Sequence, residues 1–144
     1  MKLKTAETIV DTALAEGLKR NLRPLTVAVL DAGGHVVVIK RADGASLMRT
    51  QIATGKAWAV LGMGFGGREL ARRAAGMPLF YNALIELSGG NMVCVPGGAL
   101  IRDAAGEVVG AVGITGDTSD NDEVCAVAGI QAAGLVPDTG DAQK

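Results

Sequence analysis

The chain has 144 residues, of which 49% are hydrophobic, 20% are charged and 3% are aromatic, and its formal net charge is −1. This length and balance predict one globular domain with one core. We do not expect nucleic acid or an anionic membrane as a partner, because binding to either requires concentrated lysine and arginine. Stacking on single-stranded nucleic acid also requires exposed aromatic rings, which are few in this sequence.

The N-terminal segment predicts an amphipathic helix. Apolar residues recur at spacings of three to five between Leu3 and Leu22, and Glu7, Asp11 and Glu16 interrupt every apolar run. Acidic residues early and basic residues late suit the helix dipole. An export signal needs an uninterrupted apolar run, and no stretch reaches the roughly 18 apolar residues of a membrane span. We therefore expect a cytoplasmic protein with free thiols at its two cysteines.

The stretch Thr26–Gly44 predicts a β-hairpin with a charged exit. Two valine-rich runs flank the turn Asp31–Gly34, whose glycines supply the positive φ angles of a short reversal. Arg41 and Asp43 follow where the second strand ends. Because binding sites are often built at strand ends, this exit is a candidate wall of a site.

The middle of the chain predicts three helices. Apolar spacing and breaks place them over residues 46–61, 68–75 and 78–87, with Ser46 as a possible cap. The break at 62–67 has the spacing G-x-G-x-x-G, but it follows a helix instead of a strand. The pattern therefore predicts a flexible connection and not a dinucleotide site.

The C-terminal half predicts a second hairpin and a closing helix. Asp103–Gly106 repeats the turn chemistry of Asp31–Gly34 between two β-rich runs. The predicted elements are a short strand at 92–95, a turn at 96–98, strands at 99–102 and 107–115, a helix at 124–134 and a loose tail at 135–144.

This element order predicts an α+β fold in a single domain, residues 1–144. We expect about five antiparallel strands, with the central helices on one face and the terminal helices packed nearby. The chain contains 21 glycines and few aromatic residues, which predicts a modest core. Burial of further apolar surface between subunits would add stability, so a homo-oligomer is expected.

Two cations and one hydroxyl are candidates for ligand contact. Lys56 lies in an apolar helix face, where it either extends its ammonium to water or binds a carboxylate or phosphate, or acts as a base. Arg41 forms either a surface ion pair with Asp43 or one edge of a site. Thr115 ends a strand rich in small residues, which let a ligand approach closely.

Metal-site signals are weak. His35 is the single histidine, and it is read either as a turn residue or as a contact to a ligand, a metal or haem. The acidic segment 117–123 either caps and solvates a helix or holds a cation, and its spacing does not match an EF-hand. No metal site and no catalytic residue is assigned.

Three longer motifs together resemble a known family. The sequences VAVLDAGGHVVVIKRADGA, IATGKAWA and VPGGALIRDAAGEVVGAVGITG resemble the GlcG/HbpS family of haem-binding-like domains, which is similar to the C-terminal domain of PduO-type cobalamin adenosyltransferases. The resemblance covers roughly residues 5–134. It implies a profilin-like α+β fold with five antiparallel strands, assembly into homo-oligomers, and binding of haem or a corrinoid. The matching elements lie at Asp31–Gly34, Arg41–Gly44, Lys56-Ala57, Pro96–Gly98 and Gly113–Gly116.

Two functions are predicted for one set of residues. The first is a small-ligand-binding protein for haem or a related tetrapyrrole, in which Arg41 or Lys56 pairs with the propionates. The alternative is a catabolic isomerase, lyase or hydrolase acting on an organic acid, in which the same cations hold the substrate and Asp31, Asp122 or the Lys56 amine moves protons. Arg41 is expected to face Lys56. The predicted ligand-binding residues are Asp31, Arg41, Lys56, Gly97, Gly98 and Thr115.

Overall fold

A five-stranded antiparallel sheet with helices on both faces organises the computed structural model, which describes residues 1–141. The strands lie side by side in the order β2-β1-β4-β3-β5. The predicted α+β fold is confirmed. The elements are α1 (Leu3–Lys19), β1 (Thr26–Asp31), β2 (Val36–Arg41), α2 (Arg49–Met63), α3 (Gly67–Gly76), α4 (Pro78–Leu87), β3 (Gly98–Arg102), β4 (Val108–Thr115), α5 (Ser119–Ala132) and β5 (Val136–Asp138).

Successive side chains of each strand point to opposite faces of the sheet, so the core has two layers. Val27 and Val29 of β1 face α1 and α5, whereas Leu30 packs with α2, α3 and α4 on the other side of the sheet. Both faces of the central strands are therefore covered, which explains why β1 is buried over almost its whole length. The terminal helices cover the face opposite the central helices, an arrangement that the element order did not specify.

Helix α2 lies unusually close to the central strand β4 because glycine permits it. A Cβ built on Gly113 would stand 1.9 Å from the carbonyl oxygen of Ala53 and 2.8 Å from the nitrogen of Ala57. Only a residue without a side chain fits between the two backbones. This contact fixes how the side chains of α2 meet the end of β4.

The two hairpin turns use the same chemistry. Asp31 Oδ1 accepts the N–H groups of Gly33 and His35 at 3.0 and 2.9 Å. Asp103 Oδ1 accepts those of Ala105 and Glu107 at 2.9 and 3.0 Å. Each aspartate thus closes its own turn, as short acidic side chains commonly do.

Several predicted elements differ from the structure. Helix α2 begins at Arg49 and not at residue 46, and Met48 takes the N-cap position in place of Ser46. Residues 91–94 form no strand, and β3 begins at Gly98. The segment Val136–Asp138, predicted within the loose tail, forms β5 and pairs with β3, while residues 142–144 of that tail lie outside the described residues. Most of the acidic segment, which was predicted to precede the closing helix, belongs to α5: the helix begins at Ser119 with Thr118 as its cap, and Asp117 precedes the cap. Among the helices of residues 1–141, none combines the length and apolar character needed to cross a membrane.

Candidate functional site

Three polar side chains form a row across one end of the sheet. Thr26 of β1 is paired with Arg41 of β2 on one side and with Thr115 of β4 on the other. Directly paired residues of antiparallel strands project from the same face, and this face is the one that α2 covers. The N-terminal residue of α2, Arg49, completes the group. We call Thr26, Arg41, Arg49 and Thr115 the strand-end cluster.

Arg49 binds the end of β4 directly. Its Nη1 donates to Thr115 Oγ1 at 2.6 Å, and its Nε donates to Ser46 Oγ at 3.2 Å. Thr115 is 2% exposed. The Arg49 guanidinium thus connects the start of α2 to the buried hydroxyl of Thr115.

The neighbouring hydroxyl has no partner. Thr26 is fully buried, and its Oγ1 forms no hydrogen bond within residues 1–141. An unpaired buried hydroxyl costs free energy, so such groups in native proteins usually have an additional partner. The strand-end cluster therefore contains an unsatisfied polar atom beside its arginines.

The two arginines of the cluster differ from the other six in the chain. Every other arginine forms an ion pair with an acidic side chain. Neither Arg41 nor Arg49 does so within residues 1–141. Two guanidiniums without an acidic partner at one end of the sheet form a natural receptor for a carboxylate or phosphate.

The loop before α2 carries exposed apolar side chains. Leu47 and Met48 precede Arg49 and are 80% and 63% exposed. Exposed methionine and leucine together present an adaptable apolar surface. The loop before α2 thus offers apolar contact and the cluster offers positive charge, which suits an amphiphilic anion.

Lys56 is enclosed, and its ammonium is bound within the protein. It is 3% exposed, and its Nζ donates to the Ile114 carbonyl oxygen at 2.8 Å and to Asp122 Oδ2 at 3.1 Å. The other carboxylate oxygen of Asp122 accepts the N–H of Asp117 at 3.1 Å. This Lys56–Asp122 pair ties α2, β4 and α5 together, immediately beside the strand-end cluster.

Burial dominates the electrostatics of the pair. Loss of solvation lowers the pKa of Lys56, and the attraction of Asp122 only partly offsets this. Burial likewise raises the pKa of Asp122 against the attraction of Lys56. Burying these two charges costs free energy, and only their close contact offsets that cost. The pair therefore holds α2, β4 and α5 in position and is not open to a ligand from solvent.

The two predicted glycines cover this pair. A Cβ on Gly97, whose φ is +106°, would stand 2.8 Å from Lys56 Nζ, and one on Gly98 would stand 2.5 Å from the Lys56 carbonyl oxygen. Gly97 also accepts the N–H of Ile114 at 2.9 Å. The structure thus brings Lys56, Gly97 and Gly98 together at the end of β4, next to Thr115.

Asp31 lies apart from the other predicted residues. It is paired with Gly110, whereas Thr26 at the other end of β1 is paired with Thr115. Five steps along a strand place these ends about 17 Å apart. Hydrogen bonds to the backbone, above all to the N–H of His35, lower the pKa of Asp31. His35 Nδ1 lies 3.2 Å from Asp31 Oδ1, and its ring is well exposed.

Arg41 lies at the same end of the sheet as Thr115, but it does not face Lys56 as we expected. It is exposed at the edge strand, while Lys56 is sealed beneath the backbone of β4. Sequence reasoning missed Arg49, Thr26 and the pairing of Lys56 with Asp122. The spacing of seven between Arg49 and Lys56 places both on one helix face and was the available signal.

Within residues 1–141 no group of three or more histidine, cysteine, aspartate or glutamate side chains is arranged to hold a metal ion. The cysteines are free thiols, and burial raises the pKa of Cys94 and of Cys125, the latter to about 11. Neither thiol has the lowered pKa of a reactive cysteine. The chemistry of the site is thus that of arginine, hydroxyl and apolar contacts.

Comparison with known sequences identifies one family and one curated relative. The family described as haem degrading protein HbpS-like matches residues 1–131. An uncharacterized 15.0 kDa protein encoded between dhaT and dhaS in Citrobacter freundii is 27% identical over 124 residues, which cover 86% of this chain and 85% of the relative.

Comparison with solved structures confirms the fold. PduOC, solved as a heme complex, superposes with a TM-score of 0.83 at 24% identity over 98% of this chain and 99% of that chain. HbpS superposes with a TM-score of 0.80 at 29% identity over 91% and 88% of the two chains. Protein ORFY of Klebsiella pneumoniae gives a TM-score of 0.82 at 24% identity over 93% and 90%.

Proposed function

We propose that this chain, which belongs to the family of HbpS-like haem degrading proteins, is a small-ligand-binding protein that holds haem or a related tetrapyrrole at the strand-end cluster. The observation that carries the proposal is the pair Arg41 and Arg49, the arginines of residues 1–141 that lack an acidic partner. PduOC, whose fold this chain shares, was solved as a heme complex.

The residues present fit such a ligand. Haem carries two propionates on an apolar macrocycle. The cluster offers two guanidiniums, of which that of Arg49 directly follows the exposed Leu47 and Met48 in the chain. Methionine is also a side-chain type that ligates haem iron. When bound, haem would supply a redox-active iron centre.

The arginines of the cluster and the residues around it have distinct tasks. Arg41 and Arg49 bind and orient the propionates through charge-assisted hydrogen bonds. Leu47 and Met48 cover the macrocycle and exclude water. Lys56 holds the end of β4 through its hydrogen bond to Ile114, and we assign it this positioning role in place of direct ligand contact.

The exposed apolar residues favour a tetrapyrrole over a small organic acid. Two arginines alone would suit any dicarboxylate, which is the substrate class of the alternative enzyme. A small acid, however, gains nothing from Leu47 at 80% exposure or Met48 at 63% exposure. The macrocycle would bury both side chains, and each buried side chain contributes about 1.5–3 kcal/mol.

A hemin titration followed by absorption spectroscopy tests the proposal. We expect saturable binding of one hemin per chain, and a decrease in affinity of at least about tenfold in the double variant Arg41→Ala/Arg49→Ala, because hydrogen bonds between charged groups contribute about 1.5–3 kcal/mol each. The control is Arg20→Ala, which removes an exposed arginine paired with Glu16 on α1. A corrinoid and a dicarboxylate are titrated in parallel.

Three outcomes would contradict the proposal. Hemin binding that is unchanged in the double arginine variant would remove the cluster from the site. Loss of binding in His35→Ala alone would place the ligand at the hairpin turn, about 17 Å away along β1. Saturable binding of the dicarboxylate without binding of hemin would favour the alternative enzyme.

A further inference from the structure

Helix α4 has an apolar face that nothing in residues 1–141 covers. Leu79 and Leu87 are 86% and 84% exposed, and Phe80 is 53% exposed. Of the described elements, only α3 lies against the backbone of α4. Exposed apolar side chains that are contiguous, unlike scattered ones, mark an interaction surface.

The helix is apolar on both sides. Its inner side contributes Tyr81, Leu84 and Ile85 to the core beneath α2 and α3. Its outer side carries Leu79, Ala83 and Leu87 at intervals of four, so they form one straight row. Among the exposed residues of α4 only Asn82 and Glu86 are polar. An exposed surface as apolar as the outer row is normally covered by another molecule.

The outer row is symmetric about its centre. Leu79 and Leu87 lie four residues before and after Ala83. A second α4 laid antiparallel across the first therefore places each Leu79 against the partner's Leu87 and brings the two Ala83 residues together. A small residue at the crossing point lets two helices approach closely along such rows. Self-complementarity of this kind is what a two-fold interface requires.

The single charge of α4 fits the same arrangement. Glu86 forms no ion pair within residues 1–141. In the antiparallel pairing it lies beside the first turn of the partner's helix, where the positive end of the helix dipole stabilises an acid. Helix α4 has no lysine or arginine, whereas a helix that binds anionic membranes carries basic residues on its polar face.

We infer that α4 is an isologous interface that joins two copies of this chain in antiparallel fashion about Ala83. The inference is independent of the ligand proposed above, because the strand-end cluster lies on other elements. It names the surface behind the homo-oligomer that the composition predicts.

Charge substitutions at the centre of the row test the inference. Ala83→Glu and Ala83→Lys each place two like charges at the two-fold axis, so each variant is expected to form a smaller assembly than the unmodified chain by size-exclusion chromatography with light scattering. Mixing the two variants in equal amounts is expected to restore the larger assembly, because opposite charges then meet at the axis. Ala75→Glu, an exposed alanine on α3, is the matched control and should leave the mass unchanged.

Circular dichroism of each variant separates loss of association from loss of folding. If Ala83→Glu unfolds, Ala83→Ser at the same position, which keeps a small side chain, must retain the assembly of the unmodified chain. A monomeric unmodified chain would overturn the inference. So would unchanged masses of the two charged variants, a mixture that stays dissociated, or sedimentation of the chain with lipid vesicles in place of self-association.

Discussion

Removing one member of the Lys56–Asp122 pair should destabilise the fold strongly. The side chains are 3% and 1% exposed, and the charged atoms are 3.1 Å apart. At an effective dielectric constant of about 20, charges at this distance attract by about 5 kcal/mol. Lys56→Met leaves a buried carboxylate without its cation, and Asp122→Asn leaves a buried ammonium without its anion. Each variant is expected to lose about 3–5 kcal/mol of unfolding free energy.

The double variant Lys56→Met/Asp122→Asn should cost no more than either single change. It buries no charge, and the asparagine side-chain oxygen still accepts the N–H of Asp117 that Asp122 accepts at 3.1 Å. Urea unfolding followed by circular dichroism gives the three free energies, and an unchanged m-value shows that the comparison is valid. If both single variants lose less than about 1 kcal/mol, the pair is hydrated and its positioning role is wrong.

The pH dependence of Lys56→Met gives a second readout. Burial already raises the pKa of Asp122 above its ordinary value of 3.8, and Lys56 partly offsets this. Without the lysine the folded-state pKa rises further, so the folded protein binds a proton that the unfolded chain does not bind. The free energy of unfolding then decreases as pH rises from the unfolded-state pKa of Asp122 to its higher folded-state pKa. The deficit of the variant should be smaller near pH 5 than near pH 8.

Two further predictions concern backbone packing and acid stability. Gly113→Ala should cost about 3 kcal/mol or more in urea unfolding, because the new Cβ would stand 1.9 Å from the Ala53 carbonyl oxygen. Gly76→Ala, with no atom within 4 Å of its Cβ, should instead gain about 0.4–1 kcal/mol, and equal effects at the two sites would refute the close packing of α2 on β4. The Asn121 side chain, with the N–H groups of Arg23 and Thr118, lowers the pKa of Asp117 from 3.8 to about 2. The ionised Asp117 carboxylate therefore stabilises the fold above pH 4, and this stabilisation is lost as pH falls through 2. In Asp117→Asn the free energy of unfolding should change less with pH over that range. NMR titration of the carboxyl checks the pKa directly.

Much of the fold follows from local patterns in the chain. Pro78–Leu87 was predicted at its observed bounds, because proline starts a helix and the serine-glycine break ends it. Both hairpins follow from an aspartate and a positive-φ glycine, Gly34 in one turn and Gly106 in the other. These signals are local, so sequence alone reports them. The wrong strand at 92–95 and the missed β5 are short segments whose state depends on a distant partner.

The site divides in the same way. Sequence indicated Arg41, Lys56 and Thr115, because a cation in an apolar run or a hydroxyl at a strand end is visible without a fold. It could not show that Arg49 reaches Thr115, or that Asp122 neutralises Lys56, since each pair is separated by 66 residues. The sequence also shows that the outer row of α4 is apolar, but not that it is left uncovered.

Periodicity, turn chemistry and charge placement thus determined most of the elements, the α+β class and the candidate cations Arg41 and Lys56. Only the tertiary structure shows that Lys56 is buried and that Arg41 is exposed. The physical reason is strand register: the pairing of Thr26 with Arg41 and Thr115 sets which side chains share the end of the sheet, and the close approach of α2 to Gly113 sets how deep Lys56 lies. Both are contacts between residues far apart in the chain, and local patterns do not specify them.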